Sequence, residues 1–355
     1  PLLSPGNLIF YNMKIFKSVT VIVAALLMFS CKSGENKEAV VSTTKDSLIE
    51  KINSPELKAV NEELLKDPNS AELYNKRAKI YLGIKELEAA TGDAQRAIKI
   101  DSTKAEFYLT LVDAYFASNK TRQAKELLEI VSKRFPDNTE GLLKLGELFF
   151  LVRQYENAIA QINKALKIDE NIARAYYLKG SVFKEMGDTT KAISSMQTAI
   201  EQDNKYFDAF VDIGLMYSVR KNPLAFEYFD NALRLKPGNE SAMYAKAKLL
   251  QDMNKVAEAI AEYEKMLSIN KDNTMVLYNM GAIYLDRKKD AEKAIDYFSK
   301  AIASDPKYTE AYFARGVCYE VLKDIPNAKA DYNMCLQVTP NFEMAIEALN
   351  NLDKK

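Results

Sequence analysis

The chain of 355 residues contains no histidine. That removes the commonest general base and the commonest metal ligand, and with them a Ser-His-Asp hydrolase site. Charge of one sign is not in excess either. Lys plus Arg and Asp plus Glu are both 49, so global charge gives no reason to expect a nucleic-acid or anionic-membrane partner. A phosphate-cradling loop is missing: Gly83 and Gly92 are not followed by Lys-Ser or Lys-Thr, and no G-x-G-x-x-G occurs. Charged groups such as Arg287-Lys288-Lys289-Asp290 fall in turns and read as solvated surface. No catalytic site, metal site or cofactor is therefore expected, and the chain is read as non-enzymatic.

What is present is a period. With 48% hydrophobic and 28% charged residues, the composition suits either two compact domains or one repeat array. The stretch 139–172 decides between them. Leu142, Leu145, Gly146 and Phe149 recur at helical spacing; after Arg153-Gln154 a second run follows through Ala158, Ile162, Ala165 and Leu166. This is a helical hairpin, with Gly146 and Ala158 small enough for the two helices to approach closely. The alanine recurs as Ala90, Ala124, Ala192, Ala225, Ala259, Ala294 and Ala328, in steps of 33 to 35 residues. The glycine position reads Ala78, Val112, Gly180, Gly214, Ala247, Gly281 and Gly316 in the other copies. An aromatic residue or Leu250 stands three residues after each of these. Pro136, Pro237, Pro306 and Pro340 mark equivalent hand-over turns.

A 34-residue period with small-x2-aromatic, then Ala-x6-small-x4-Pro, resembles the tetratricopeptide repeat (TPR). The resemblance implies an all-α fold, a right-handed superhelical solenoid of antiparallel helix pairs. Eight repeats are expected at 71–104, 105–138, 139–172, 173–206, 207–239, 240–273, 274–308 and 309–342. Val112, Val131 and Met266 depart from the small-residue pattern. A capping helix at 54–70 opens on Ser54-Pro55 with Leu57, Val60 and Leu64 on one side. A second at 343–355 is expected to bury Ala345, Ile346 and Leu349.

The first thirty residues stand apart. Lys14 and Lys17 precede the uncharged apolar run 19–29, which is too short for an ordinary membrane span and reads as a signal segment. Residues 1–12 carry no usable pattern and form an upstream extension. The run ends in Leu27-Met28-Phe29-Ser30-Cys31, which resembles the lipobox of bacterial lipoproteins. That resemblance implies lipidation of Cys31 by a diacylglyceryl group and acylation, palmitate included, of the new amine. Several buried acyl chains anchor firmly, at about 0.8 kcal/mol per methylene. Residues 31–53 read as a polar, flexible tether with an r.m.s. reach of roughly 25 Å. The expected location is the bacterial cell envelope, at the outer membrane facing the periplasm. Cys318 and Cys335 replace aliphatic or small residues of the eighth repeat, as buried thiols or as a structural disulfide.

In the family the first helices line a concave, peptide-binding face. The residue three before the glycine position reads Asn75, Leu109, Leu143, Tyr177, Val211, Tyr244, Tyr278 and Phe313. Flanking positions supply Glu106, Asp113, Glu140 and Glu147. The groove is thus expected to be acidic in its early half and aromatic in its later half. It suits a protein or peptide segment with basic residues at one end and apolar anchors at the other. The alternative is that Tyr177, Tyr244, Tyr278 and Phe313 pack against neighbouring helices. The chain is accordingly expected to be a membrane-anchored scaffold for assembling cell-envelope machinery, with no nucleic-acid partner. A plain spacer, or an accessory subunit of an enzyme, is the other reading, and homo-oligomer formation is left open.

Overall fold

The structure, a computed structural model, describes residues 54–353. The signal segment, Cys31 and the tether lie outside the described residues. Among those described, every regular element is helical and none is long and apolar enough to cross a membrane. The architecture is an all-α solenoid of antiparallel helix pairs, divided into two compact units, 54–206 and 207–353.

In residues 54–206, helix α1 (Pro55–Lys66) precedes four pairs. These are α2 (Ala71–Gly83) with α3 (Leu87–Ile100), and α4 (Ala105–Ala117) with α5 (Thr121–Arg134). Then come α6 (Thr139–Leu151) with α7 (Tyr155–Ile168), and α8 (Ala173–Glu185) with α9 (Thr189–Gln202). Helix α1 starts where Ser54 Oγ accepts from the Leu57 amide at 3.3 Å, and it buries Leu57, Val60 and Leu64. Each first helix is stopped in the same way. One residue turns left-handed, as Arg153 does at φ 60°, and the next amide reaches back, as Gln154 does to Phe149 O at 2.8 Å. Lys85, Asn119 and Gly187 hold the equivalent position, and only Gly187 adopts it without a steric cost.

Residues 207–353 repeat the scheme with two adjustments. The pairs are α10 (Phe207–Val219) with α11 (Leu224–Leu235), α12 (Glu240–Asp252) with α13 (Val256–Ile269), α14 (Thr274–Ile283) with α15 (Ala291–Ser304), and α16 (Thr309–Val321) with α17 (Ile325–Val338). Helix α18 (Glu343–Asp353) closes the unit. The short 33-residue step is taken up at a tight turn where Asn222 Oδ1 caps the Leu224 amide at 3.0 Å, leaving α11 only 12 residues. The long 35-residue step is absorbed by a π-helical turn, Tyr284–Lys288. There the Asp290 amide reaches Tyr284 O across six residues instead of five.

The core of each unit is a stack of small residues facing large ones. In 54–206 Gly146 faces Ile162 and Gly180 faces Met196; in 207–353 Gly214, Gly281 and Gly316 face Phe229, Phe298 and Tyr332, and these five partners are fully buried. Val112, Val131 and Met266, the departures from the pattern, are buried as well. Each such side chain contributes roughly 1.5–3 kcal/mol through removal from water. Polar pins cross the same layer. Arg77 grips Asp93 at 2.6 and 2.8 Å and donates to Asn61 at 2.8 Å; Arg315 does the same with Asp331 and Ser299. Cys318 and Cys335 are free buried thiols, and burial, helped by the charge of Asp331, pushes both up to about 12.

The closing helix differs from expectation in register. Ile346 is 40% exposed, whereas Ala345 and Leu352 are buried and Leu349 is half-buried. Residues 345, 349 and 352 lie on one stripe at helical spacing, and Ile346 stands about 100° away from its start.

Candidate protein-binding face

Within each unit, first helices lie beside first helices: α2 touches α4, and α10 touches α12. The residues singled out in the sequence all fall on this first-helix face, but few are free.

In residues 54–206 the expected acidic surface is a ladder of ion pairs. Glu106 accepts from Asn75 Nδ2 at 3.2 Å and is paired with Lys79; Glu72 is paired with Lys104. Lys144 Nζ sits 2.6 Å from Asp113 and 3.7 Å from Glu140. Arg174 then reaches Glu140 at 3.0 Å and Glu147 at 2.6 Å. Burial opposes the Arg174 charge, but Glu147 and Glu140 outweigh it and raise its pKa. The carboxylates Glu106, Asp113, Glu140 and Glu147 therefore already have cations, and an acidic early half is not what the fold presents. The reason is positional. Lys144 stands one step off the lines read in the sequence and reaches carboxylates of two repeats, while Arg174 occupies the position that Glu106 and Glu140 hold in their own repeats and reaches back to two carboxylates of the preceding one. Tyr177 packs its ring 5.0 Å from Tyr206.

In residues 207–353 the aromatic line is present but largely packed. Tyr278 and Phe313 are buried, 9% and 7% exposed. Tyr278 lies 5.2 Å from Tyr308 and 5.5 Å from Phe298; Phe313 lies 5.4 Å from Tyr332 and 5.6 Å from Phe342. Tyr244, half-buried, accepts from Asn279 Nδ2 at 3.0 Å. Burial raises the Tyr244 pKa against that hydrogen bond, and burial with the Glu310 charge pushes Tyr278 up to about 12. Tyr278 and Phe313 thus pack on rings of their own repeats, and Tyr244 is held by Asn279 of the next, so these side chains pack against neighbouring helices.

The exposed apolar side chains of this face lie farther along the same helices. On α10, Leu215 is 38% and Val219 83% exposed; on α16, Val321 is 61% exposed. On α6, in the other unit, Leu151 is 72% exposed. Val219, Val321 and Leu151 come one helical turn after the last line read in the sequence, so following the stripe by four more residues finds them.

A stack of hairpins with a small residue and an aromatic on each first helix is a recognisable design. Tetratricopeptide-repeat signatures match residues 109–175, 173–206, 244–309 and 279–334, together more than half of the chain. The chain is a tetratricopeptide repeat protein. Such repeats are scaffolds for protein–protein interaction, and this TPR chain has that architecture. It is 25% identical over 305 residues to DnaJ homolog subfamily C member 7 from Mus musculus, covering 78% of this chain and 62% of that one. It is 23% identical over 280 residues to BBSome complex member BBS4 from Bos taurus, covering 68% and 54%. The chain thus spans a little over half the length of these relatives. In structure it resembles the C-terminal part of a TPR protein from Cytophaga hutchinsonii, with a TM-score of 0.60 and 17% identity, over 67% of this chain and 98% of that one. That likeness shows the fold.

Proposed function

We propose that this TPR protein is a non-enzymatic, membrane-anchored adaptor that holds protein segments along its first-helix faces while cell-envelope machinery is assembled. The observation that carries the reading is the stripe Val211, Leu215, Val219 on α10. Three apolar side chains stand at successive turns, Val211 half-buried, Leu215 38% exposed and Val219 83% exposed. Contiguous exposed apolar surface on a folded protein marks a place that a partner covers. Anchoring rests on Cys31 and the polar tether 31–53, and with them the placement at the outer membrane facing the periplasm. A spacer role fits residues 54–206, whose inner charges are satisfied by one another.

Capture from a detergent-solubilised bacterial envelope extract, with the full chain and its Leu215→Glu, Val219→Glu double variant as baits, tests the adaptor. Partners retained by the wild type and lost from the variant are expected. Identical captures would contradict it. Cys31→Ser should move the chain from the membrane to the soluble fraction, and unchanged sedimentation with membranes would remove the anchor from the account.

A further inference from the structure

First helices in residues 54–206 are tied together by a simple rule. A residue on one first helix pairs with a residue of opposite charge 27 positions later, at the start of the next first helix. Lys79 meets Glu106, and Glu147 meets Arg174. Where the two are both acidic, as Asp113 and Glu140 are, Lys144 bridges them. The corresponding pair between α14 and α16, in the other unit, is Ala282 and Glu310, one position farther apart because the π-helical turn Tyr284–Lys288 adds a residue. Ala282 supplies no cation. Among the described residues the Glu310 carboxylate makes no ion pair and no hydrogen bond.

Its surroundings suit a cation. The Tyr278 and Tyr308 rings lie 5.2 Å apart, and both phenols feel the Glu310 charge, which adds to burial in raising their pKa values. Tyr278 and Asn279 are each only 9% exposed. Asn279 spends its amide on Tyr244 and Met275 O. Its Oδ1 and the Tyr278 hydroxyl have no hydrogen-bond partner among the described residues, yet neither is sealed from solvent as Asn75 Oδ1 is. Two nearly buried polar side chains thus keep their tips open beside an unpaired carboxylate and aromatic rings. An ammonium or guanidinium gains from all three: a charged hydrogen bond to the carboxylate, further acceptors in the amide and hydroxyl oxygens, and the ring faces. The half-buried Val317 and exposed Val321 on α16 extend the site with apolar surface.

We propose that Glu310, Tyr278, Tyr308 and Asn279 seat a lysine or arginine side chain of a bound protein segment, the partner supplying the cation that Lys79 supplies to Glu106 within the chain. This rests on the reading of the first-helix face as the binding face. The probe is a random twelve-residue peptide library displayed on phage and panned on the full chain, followed by synthesis of the enriched peptides. Enriched peptides should share one Lys or Arg. Its replacement by norleucine, Glu310→Gln and Ala282→Lys should each weaken binding about tenfold, the scale of one lost charged hydrogen bond. Glu310→Gln should leave the melting temperature unchanged, and Ala282→Lys, which places the missing cation in the chain itself, should raise it. Peptides without a basic residue that bind Glu310→Gln normally but are released by Leu215→Glu, Val219→Glu would overturn the seat and leave the face standing. Recovery of no peptide, or only of peptides indifferent to both sets of substitutions, would overturn seat and face together.

Discussion

A β-carbon added at Gly316 would lie 2.6 Å from Cε1 of Tyr332, and one added at Gly281 2.7 Å from Cε1 of Phe298. The ring fills the space where any other residue would carry a side chain, so the glycine is needed for close approach. Gly316→Ala is expected to destabilise the protein by about 1–3 kcal/mol through forced displacement of the ring. Gly92 provides the contrast, being mid-helix with nothing within 4 Å of such a carbon. Gly92→Ala should stabilise by about 0.5–1 kcal/mol. Urea denaturation of both variants measures the difference, and shifts of the same sign would mean that the glycine ladder does not set the packing. At this scale much was legible beforehand, because small residues at a fixed period have few causes other than close packing. The size of the opposing partner was not, since Ile162 and Phe229 occupy the same slot at the same spacing.

At the scale of the element, each hairpin depends on how its first helix ends. Seven of the eight left-handed residues that end these helices are not glycine, among them Lys85, Arg153 and Lys323. The left-handed conformation costs a residue with a β-carbon about 1–2 kcal/mol. Arg153→Gly is therefore expected to raise stability by about 1 kcal/mol, read as a higher melting midpoint. A lower midpoint would show that the Arg153 side chain contributes more than its backbone costs. Helix starts and stops followed from the period, but the local response to its irregular steps did not. A single extra residue can lengthen a loop or widen a helical turn, and only the structure shows that Tyr284–Lys288 takes the second course. Ile346 failed for a similar reason: one residue of register separates a buried face from an exposed one.

For the whole molecule, the two units are built by one plan and present different faces. Both expose apolar side chains on their first helices, Leu151 in residues 54–206 and Leu215, Val219 and Val321 in residues 207–353, but the inner charges of 54–206 pair with one another while Glu310 is left unpaired. The fold was legible in the sequence because repetition multiplies a weak signal eightfold. The site was less so. Carboxylates read along one helix gave no view of the cations that stacking brings from the next, and aromatic positions could not reveal that their rings were already packed. The central claim is that partners lie along the first helices of residues 207–353. It is tested most directly by placing a photo-crosslinking amino acid, one position at a time, at Val219 and Val321 on first helices and at the exposed Glu258 and Lys265 on α13, then irradiating intact cells. Adducts of the same partner from 219 and 321, with none from 258 and 265, are the predicted result. Adducts confined to 258 and 265 would place the binding surface on the second helices and contradict the account.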